Sequence, residues 1–278
     1  MTAPVRQSPS FLTSALRVMD LSIGQMLWSR RTVFMALVVS GPILIALFVR
    51  LLTAFGVPVG SVNGVRMTGP SMFGLMIWVF YLRFTVPVLG VFYGTSLIAD
   101  EVDDKTITYL FTRPIPRGAV LVGKYLAYLV CTAFVVLPSV MLVYLLIVPI
   151  QGQLSASFIA AVKDLGLLAA GLAIYGALFA LIGAQFKRPL LIGLVFIFGW
   201  EPAALVFPGY LRRFTAAYYL QALVPHAMPQ DSTLSLIQSL FRETPGVLAS
   251  LSWLAVIWLA ALALATWAVE RREYVLEQ

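Results

Sequence analysis

The sequence predicts an all-α, polytopic integral membrane protein, and three observations support this fold class. Of its 278 residues, 60% are hydrophobic and only 11% are charged, whereas a soluble domain carries roughly a quarter charged residues. The apolar residues form long runs without charge, several of them long enough for the ~20 residues that a helix needs to cross a bilayer. Lys and Arg outnumber Asp and Glu by 19 to 12, an excess typical of cytoplasmic membrane boundaries.

The composition also excludes several classes of protein. Cys131 is the single cysteine and His226 the single histidine, so the chain cannot close an internal disulfide or supply a Cys/His metal site. We therefore expect no bound metal. The net charge of +7 is expected to face lipid headgroups, and no nucleic-acid partner is expected.

The first predicted element is an amphipathic helix over residues 11–31. Its apolar residues, such as Phe11, Ala15 and Met19, recur at helical spacing, while Arg17 falls elsewhere. This pattern is typical of an interfacial helix on the cytoplasmic leaflet. A cytosolic helix packed on a partner protein is the alternative, because it requires the same amphipathic pattern.

Six predicted transmembrane helices follow, delimited by charged or loop-forming residues. They span residues 32–53, 71–98, 118–149, 160–186, 189–207 and 246–269 of a single transmembrane domain that covers residues 1–278. Residues 208–244, before the last span, combine helical apolar spacing with few charges, which favours outer re-entrant or amphipathic helices. A solvated loop is the alternative for that segment.

The distribution of Lys and Arg orients these helices. Basic residues cluster before the first span, after the second, after the fourth and in the tail, as with Arg30, Lys105, Lys187 and Arg271. Because cytoplasmic loops carry an excess of Lys and Arg, these four segments are expected to be cytoplasmic. The expected location is the bacterial plasma (inner) membrane, with both termini cytoplasmic.

Residues 118–124 match a phosphate-binding loop only in part. Gly118, Gly123 and Lys124 have the spacing of that motif, but Tyr125 stands where Ser or Thr would hold a magnesium ion. The segment also opens a transmembrane helix instead of following a strand. We therefore expect this chain to bind no nucleotide and no cofactor.

The most informative segment is the predicted cytoplasmic loop over residues 100–116. Carboxylates at its start stand where they interact favourably with a helix N-terminus. They are Asp100, Glu101, Asp103 and Asp104. A short helix with one apolar side follows, and Arg113-Pro114 ends it. Such a helix can seat in a groove of a soluble motor and transmit its movement, whereas an ordinary charged loop is the alternative.

The loop and the start of the next helix carry a spaced pattern of residues. These are Glu101, Thr106, Ile107, Leu110, Arg113, Pro114, Ile115, Arg117 and Lys124. The pattern resembles the corresponding loop of ABC-2 type permeases, the membrane subunits of type-2 ABC transporters. The resemblance extends to the six spans, the amphipathic N-terminal helix and the outer segment, and so covers nearly the whole chain. Residues 207–213 are similar to the subgroup that includes the permease serving nitrous-oxide-reductase maturation.

This resemblance implies the partners and the mode of action of the chain. The loop would form a coupling helix that contacts an ABC ATPase subunit, and a second permease protomer would complete a homodimer or heterodimer within membrane lipids. ATP and Mg²⁺ would bind in the partner ATPase. The coupling residues would be Glu101, Asp104, Thr106, Ile107, Leu110, Phe111, Arg113 and Arg117, although the arginines are equally well interpreted as interfacial anchors.

Two charged residues lie deep in predicted spans, where charge is costly and usually faces protein or water. Arg83 lies in the second span and Glu201 in the fifth. Both fall in the outer half, and one hypothesis is that they pair as part of an outer gate or of the transport pathway. The alternatives are that Arg83 reaches the outer headgroups and that Glu201 marks a helix end before Pro202.

Small residues predict close contacts between helices. Gly90 and Gly94 in the second span, and Gly176 and Ala180 in the fourth, each place two small residues on one side of a helix. The sequence leaves open whether each contact lies within one protomer or between two.

These patterns together favour a non-enzymatic permease subunit, acting more in export than in import. A gradient-driven secondary transporter would need carboxylates or His deep in several spans, and Glu201 is the one candidate. An intramembrane enzyme would need paired Asp, His or metal-ligand sets. A membrane assembly factor of a maturation system is a further alternative.

Overall fold

The computed structural model describes residues 10–57, 61–62, 65–103, 116–206, 210–224 and 245–271. Helices dominate these ranges, and the predicted all-α class is confirmed. Two strands of two residues each, Ser61–Val62 and Val65–Arg66, pair antiparallel in a short hairpin. The helices long and apolar enough to cross a membrane are Arg31–Ala54, Gly69–Ala99, Arg117–Ile147, Leu154–Gln185 and Val247–Arg271, and Pro189–Ala204 is a shorter apolar helix. The predicted number of six crossings stays a prediction.

The chain begins with two helices separated by a tight break. Helix α1 (Phe11–Leu27) ends four residues before the end expected from the sequence, and α2 (Arg30–Ala54) starts after Ser29. The hydroxyl of Ser10 caps α1, since it accepts the backbone N–H of Thr13 (N···O 3.4 Å). The break thus separates the amphipathic helix from the first span.

Helix α3 is built from five consecutive helical segments. They are Gly69–Met76, Ile77–Thr85, Val86–Leu89, Gly90–Gly94 and Ser96–Asp103, of which the second and the fourth are π-helical. Its N-terminus contacts the turn at residues 148–153, because the backbone N–H of Gly69 donates to the carbonyl of Ile150 (2.7 Å). At the other end α3 extends beyond the predicted span, to Asp103.

Helices α4 (Arg117–Ile147) and α5 (Leu154–Gln185) form an antiparallel hairpin. Pro116 stands at the N-cap of α4, where its missing N–H costs no hydrogen bond. The hydroxyl of Tyr144 donates to the carbonyl of Leu154 and closes the turn between the two helices. Helix α5 starts six residues before the expected fourth span.

The remaining helices are shorter or more peripheral. Helix α6 consists of Pro189–Val195, the π-helical Phe196–Trp200, and Glu201–Val206. In the predicted outer segment, a 3₁₀ turn at Tyr210–Phe214 precedes α7 (Ala216–Ala222). Helix α8 (Val247–Arg271) is the last span.

Helices α3 and α5 lie at the centre of the bundle. In their most apolar windows, 61% of α3 and 56% of α5 is buried, compared with 28% of α2 and 17% of α8. Six of the largest fully buried side chains are tyrosines, namely Tyr81, Tyr93, Tyr125, Tyr128, Tyr144 and Tyr175. A buried tyrosine usually places its hydroxyl on an acceptor, so the interior contains directional polar contacts as well as apolar packing.

Candidate functional site

The predicted coupling segment, residues 100–116, lies mostly outside the described residues. Glu101 falls in the last segment of α3, so the helix continues into the start of the predicted loop. Arg117 is the first residue of α4, and its side chain is exposed. The other candidates, Asp104, Thr106, Ile107, Leu110, Phe111 and Arg113, lie outside the described residues. The coupling roles of all these residues stay predictions.

Three helices meet where the chain returns from this segment into α4. A Cβ atom at Gly118 would lie 2.8 Å from Oε1 of Glu270 in α8 and 3.6 Å from the ring of Phe11 in α1. Further along α4, a Cβ atom at Gly123 would lie 2.5 Å from the carbonyl oxygen of Ala15. Helix α1 is therefore packed closely on the start of α4, and a side chain at Gly123 would displace it.

Several apolar side chains of α1 do not face α4 and are exposed. The exposed fractions are 72% for Leu12 and 51% for Leu16, and Trp28, just after the helix, is 93% exposed. Arg17 and Asp20 are exposed as well, and this mixture of apolar and charged residues fits a membrane interface. Helix α1 thus packs on α4 with one side, and its placement on the membrane stays a prediction.

The four predicted packing residues meet where α3 crosses α5. A Cβ atom at Gly94 would lie 3.0 Å from the carbonyl oxygen of Gly176 and 3.4 Å from the backbone nitrogen of Ala180. At Gly90, a Cβ atom would lie 2.8 Å from Cβ of Tyr175. These contacts lie within one chain. We call the contact of Gly90 and Gly94 with Tyr175, Gly176 and Ala180 the glycine seam.

Glu201, at the start of the last segment of α6, is 5% exposed. The hydroxyl of Tyr175 in α5 lies 2.8 Å from each of its carboxylate oxygens. The carboxylate also accepts the backbone N–H of Ala217, in the first turn of α7. One side chain therefore connects α5, α6 and α7. The hydrogen bonds satisfy a carboxylate that would otherwise be costly to bury.

Arg83 lies in the first π-helical segment of α3, and its side chain is exposed. Its guanidinium carbon is 5.3 Å from the centre of the Trp78 ring, which is cation–π geometry. The charge of Arg83 interacts with Glu201, but Tyr175 makes the direct side-chain bond. The proposed pairing of Arg83 with Glu201 therefore stays a prediction.

Helix α7 covers this site from the predicted outer segment. The ring of Tyr219 stacks on Trp253 of α8, with centroids 6.2 Å apart and an interplanar angle of 19°. Burial raises the pKa of Tyr219 and Tyr218 raises it further, whereas the charge of Arg213 lowers it. The Tyr219 hydroxyl therefore stays protonated at neutral pH.

The sequence analysis did not identify two of the buried polar residues. Tyr175 was one of many aromatic residues in apolar runs. The signal that could have identified it is its position directly before Gly176, one of the small residues predicted to make a close helix contact. Asp164 in α5 is 0% exposed, but it follows Lys163 directly near the start of the predicted fourth span and was not singled out. The π-helical segments that contain Arg83 and precede Glu201 were also not predicted, although such segments are frequent at functional sites.

The part of the chain that the structure describes contains no set of side chains that could ligate a metal ion. No group of three or more His, Cys, Asp or Glu residues there could hold a metal ion. Cys131 is a buried free thiol in α4, and His226 lies outside the described residues.

These observations define a class of protein, a multi-pass α-helical membrane protein with a central buried helix that leads into the loop between the second and third spans. The sequence model of the ABC-2 family transporter proteins matches residues 31–274, which is most of the chain. The chain belongs to this family and is a permease subunit of an ABC transporter. The family predicted from the loop is confirmed, whereas the subgroup stays a prediction. No curated protein matches the chain.

Proposed function

We propose that this permease pairs with a second permease protomer and is driven by two ATPase subunits on separate chains, and that it exports its substrate. Family membership supports the kind of partner, because ABC-2 membrane proteins work with ATPase subunits. The proposed location is the bacterial inner membrane with both termini cytoplasmic. In this arrangement ATP and Mg²⁺ bind to the partner, and this chain hydrolyses nothing.

The observation that carries the coupling proposal is the continuity of α3. This helix runs from the glycine seam at Gly90 and Gly94 to Asp103 at the start of the loop. Because α3 and α5 are almost in backbone contact at the glycine seam, a displacement of the loop would pass along α3 to the centre of the bundle with little loss of amplitude. On the other side of the loop, α4 starts at Arg117 and contacts α1 and α8.

Purification of the tagged chain from native membranes tests the proposal directly. We expect an ATPase with a complete phosphate-binding loop to co-purify and to hydrolyse ATP faster with the permease than alone. The variants Ile107→Asp and Leu110→Asp should reduce this stimulation about tenfold, the effect of losing apolar anchors worth ~1.4 kcal/mol.

The matched control is Val57→Asp. Val57 is an exposed apolar residue just beyond the C-terminal end of α2. It places the same charge away from the predicted coupling loop and should leave the stimulation unchanged. Normal stimulation in the Ile107 and Leu110 variants would contradict the coupling role. Transport driven by an ion gradient without ATP would favour a secondary transporter instead.

A further inference from the structure

We propose that Glu201, Tyr175 and the N-terminus of α7 form an outer latch that closes the bundle, and that Tyr175 is the positioning residue through which α3 controls it. The outer latch is the Glu201 carboxylate with the Tyr175 hydroxyl and the backbone N–H of Ala217. The inference rests on the proposed function in one respect, namely that ATP provides the displacement of α3.

The latch is a directional contact in an otherwise apolar environment. Tyr175 is 1% exposed and Glu201 is 5% exposed, so water competes little for their hydrogen bonds. The first N–H groups of a helix have no acceptor within the helix. Thr215 at the N-cap of α7 accepts no such bond with its side chain, and the Glu201 carboxylate supplies an acceptor for Ala217.

Two further contacts of α7 are apolar and less directional. Tyr219 stacks on Trp253 of α8, and a Cδ1 atom of Leu220 lies 3.8 Å from the position of a Cβ atom at Gly171 of α5. Such contacts tolerate small displacements, whereas a hydrogen bond weakens steeply with distance and angle. Loss of the latch should therefore loosen α7 without unfolding the spans.

The glycine seam connects the latch to α3. At Gly90 a Cβ atom would lie 2.8 Å from Cβ and 3.3 Å from the carbonyl carbon of Tyr175. No flexible side chain separates α3 from Tyr175 at this point, so a shift of α3 along or around its axis moves the tyrosine. Because its hydroxyl holds Glu201, that shift moves the carboxylate away from α7.

Arg83 provides an opposite charge for the released carboxylate. It is exposed on α3, the same helix that moves Tyr175, and its charge already interacts with Glu201. The closed arrangement is the one in which Tyr175 and Ala217 hold the carboxylate. The open arrangement is the one in which Glu201 turns toward Arg83.

The test measures the access of a thiol reagent to α7 in the full chain in membranes. Cys131, the single native cysteine, is replaced by alanine, and Gln221→Cys is introduced into α7. In this background we compare Tyr175→Phe, which removes one oxygen atom, and Glu201→Gln, which keeps one acceptor. The readout is the rate of labelling by a membrane-impermeant maleimide without nucleotide.

Tyr175→Phe should accelerate labelling about tenfold or more, since a hydrogen bond to a buried charged group is lost, and Glu201→Gln should accelerate it less. Tyr128→Phe is the matched control, because Tyr128 is equally buried and donates to the Leu172 carbonyl of the same helix, α5 (3.0 Å). It should leave the rate within about twofold of the parent. Equal rates for the parent and Tyr175→Phe would overturn the proposal, and so would equal acceleration by Tyr128→Phe.

Repeating the measurement with ATP and Mg²⁺ in the complex separates this inference from the proposed function. The parent should be labelled faster with ATP, and Tyr175→Phe should show no further acceleration. If ATP has no effect on the parent while Tyr175→Phe is still labelled faster, the latch stands and the proposed ATP drive fails. If ATP accelerates labelling equally in both, the ATP drive stands and the role of Tyr175 is overturned.

Discussion

The contact between α3 and α5 differs in kind from the contacts of α2 and α8 with the same bundle. Backbone approaches backbone at Gly94, where a Cβ atom would lie 3.0 Å from the carbonyl oxygen of Gly176. Helix α8 is largely exposed and is tethered by a chain of hydrogen bonds, from Nε1 of Trp258 to the Tyr125 hydroxyl (2.7 Å) and from that hydroxyl to the Ala173 carbonyl (2.7 Å).

The difference shows how a membrane protein distinguishes its centre from its periphery. Lipid tails are as apolar as the side chains, so apolar composition does not select which helix is buried. Small residues permit the close approach at the centre, and an aromatic donor, Trp258, tethers α8 at the edge. Four substitutions test this contrast.

The largest effect is expected at the glycine seam. Gly94→Val would force its side chain against Phe179 and the Gly176 carbonyl, so we expect a loss of stability of about 3 kcal/mol or failure to fold. Apparent melting temperature in detergent measures the effect. Gly41→Val in α2, where a Cβ atom meets nothing within 4 Å, is the control and should melt close to the parent. Similar melting of the two variants would show that the seam is not tight.

The next largest effect is expected where α1 meets α4. Gly123→Val would clash with the Ala15 carbonyl, 2.5 Å from the Cβ position, and overpacking of this kind costs about 1–3 kcal/mol. Because α1 is peripheral, we expect it to detach while the spans stay folded. Tryptic cleavage at the exposed Arg17 should become faster. Gly24→Val, in open space on α1, should not change the cleavage rate, and unchanged cleavage of Gly123→Val would argue against the contact.

A smaller effect is expected at the tether of α8. Trp258→Phe removes the donor to Tyr125 but keeps an aromatic ring, so we expect a loss of about 1 kcal/mol. Trp267→Phe, at a position 50% exposed, serves as the control for tryptophan removal and should have less effect on the melting temperature. The reverse order would mean that the tether does not hold α8.

The smallest effect is expected on the exposed side of α8. Val256 is 54% exposed, so Val256→Ala should change the stability of the isolated protomer by less than about 0.5 kcal/mol. Leu254→Ala, two residues earlier and 4% exposed, should destabilise it more. If Val256→Ala weakens the assembled transporter but not the protomer, a partner covers this side of α8.

The sequence predicted the fold class and the family from simple signals, and its small-residue pattern named Gly90, Gly94, Gly176 and Ala180, which meet in the structure. Charge-free runs delimit spans, and Glu201 stood out because a carboxylate in such a run is rare. Tyr175 did not stand out, since a hydroxyl on an apolar ring is common in spans and its acceptor lies on another helix. Asp164 was hidden by Lys163, because adjacent charges look like a boundary.

The π-helical segments illustrate a different limit. Ile77–Thr85 and Phe196–Trp200 are as apolar as the α-helical residues around them, and the i→i+5 hydrogen bonds depend on packing against neighbouring helices rather than on residue type. The backbone partner of Glu201 was also beyond prediction, because the N–H of Ala217 has no sequence signature.

The lengths of α4 and α5 have a consequence for the shape of the protein relative to its membrane. The 32 residues of α5 span about 48 Å at ~1.5 Å per residue, whereas the hydrocarbon core is ~30 Å thick. The hairpin of α4 and α5 must therefore tilt strongly or stand out of the bilayer by several turns. If the excess length stands out at the start of α5, Asp164, ten residues from that start, lies level with the lipid headgroups, where a carboxylate costs far less than in the hydrocarbon.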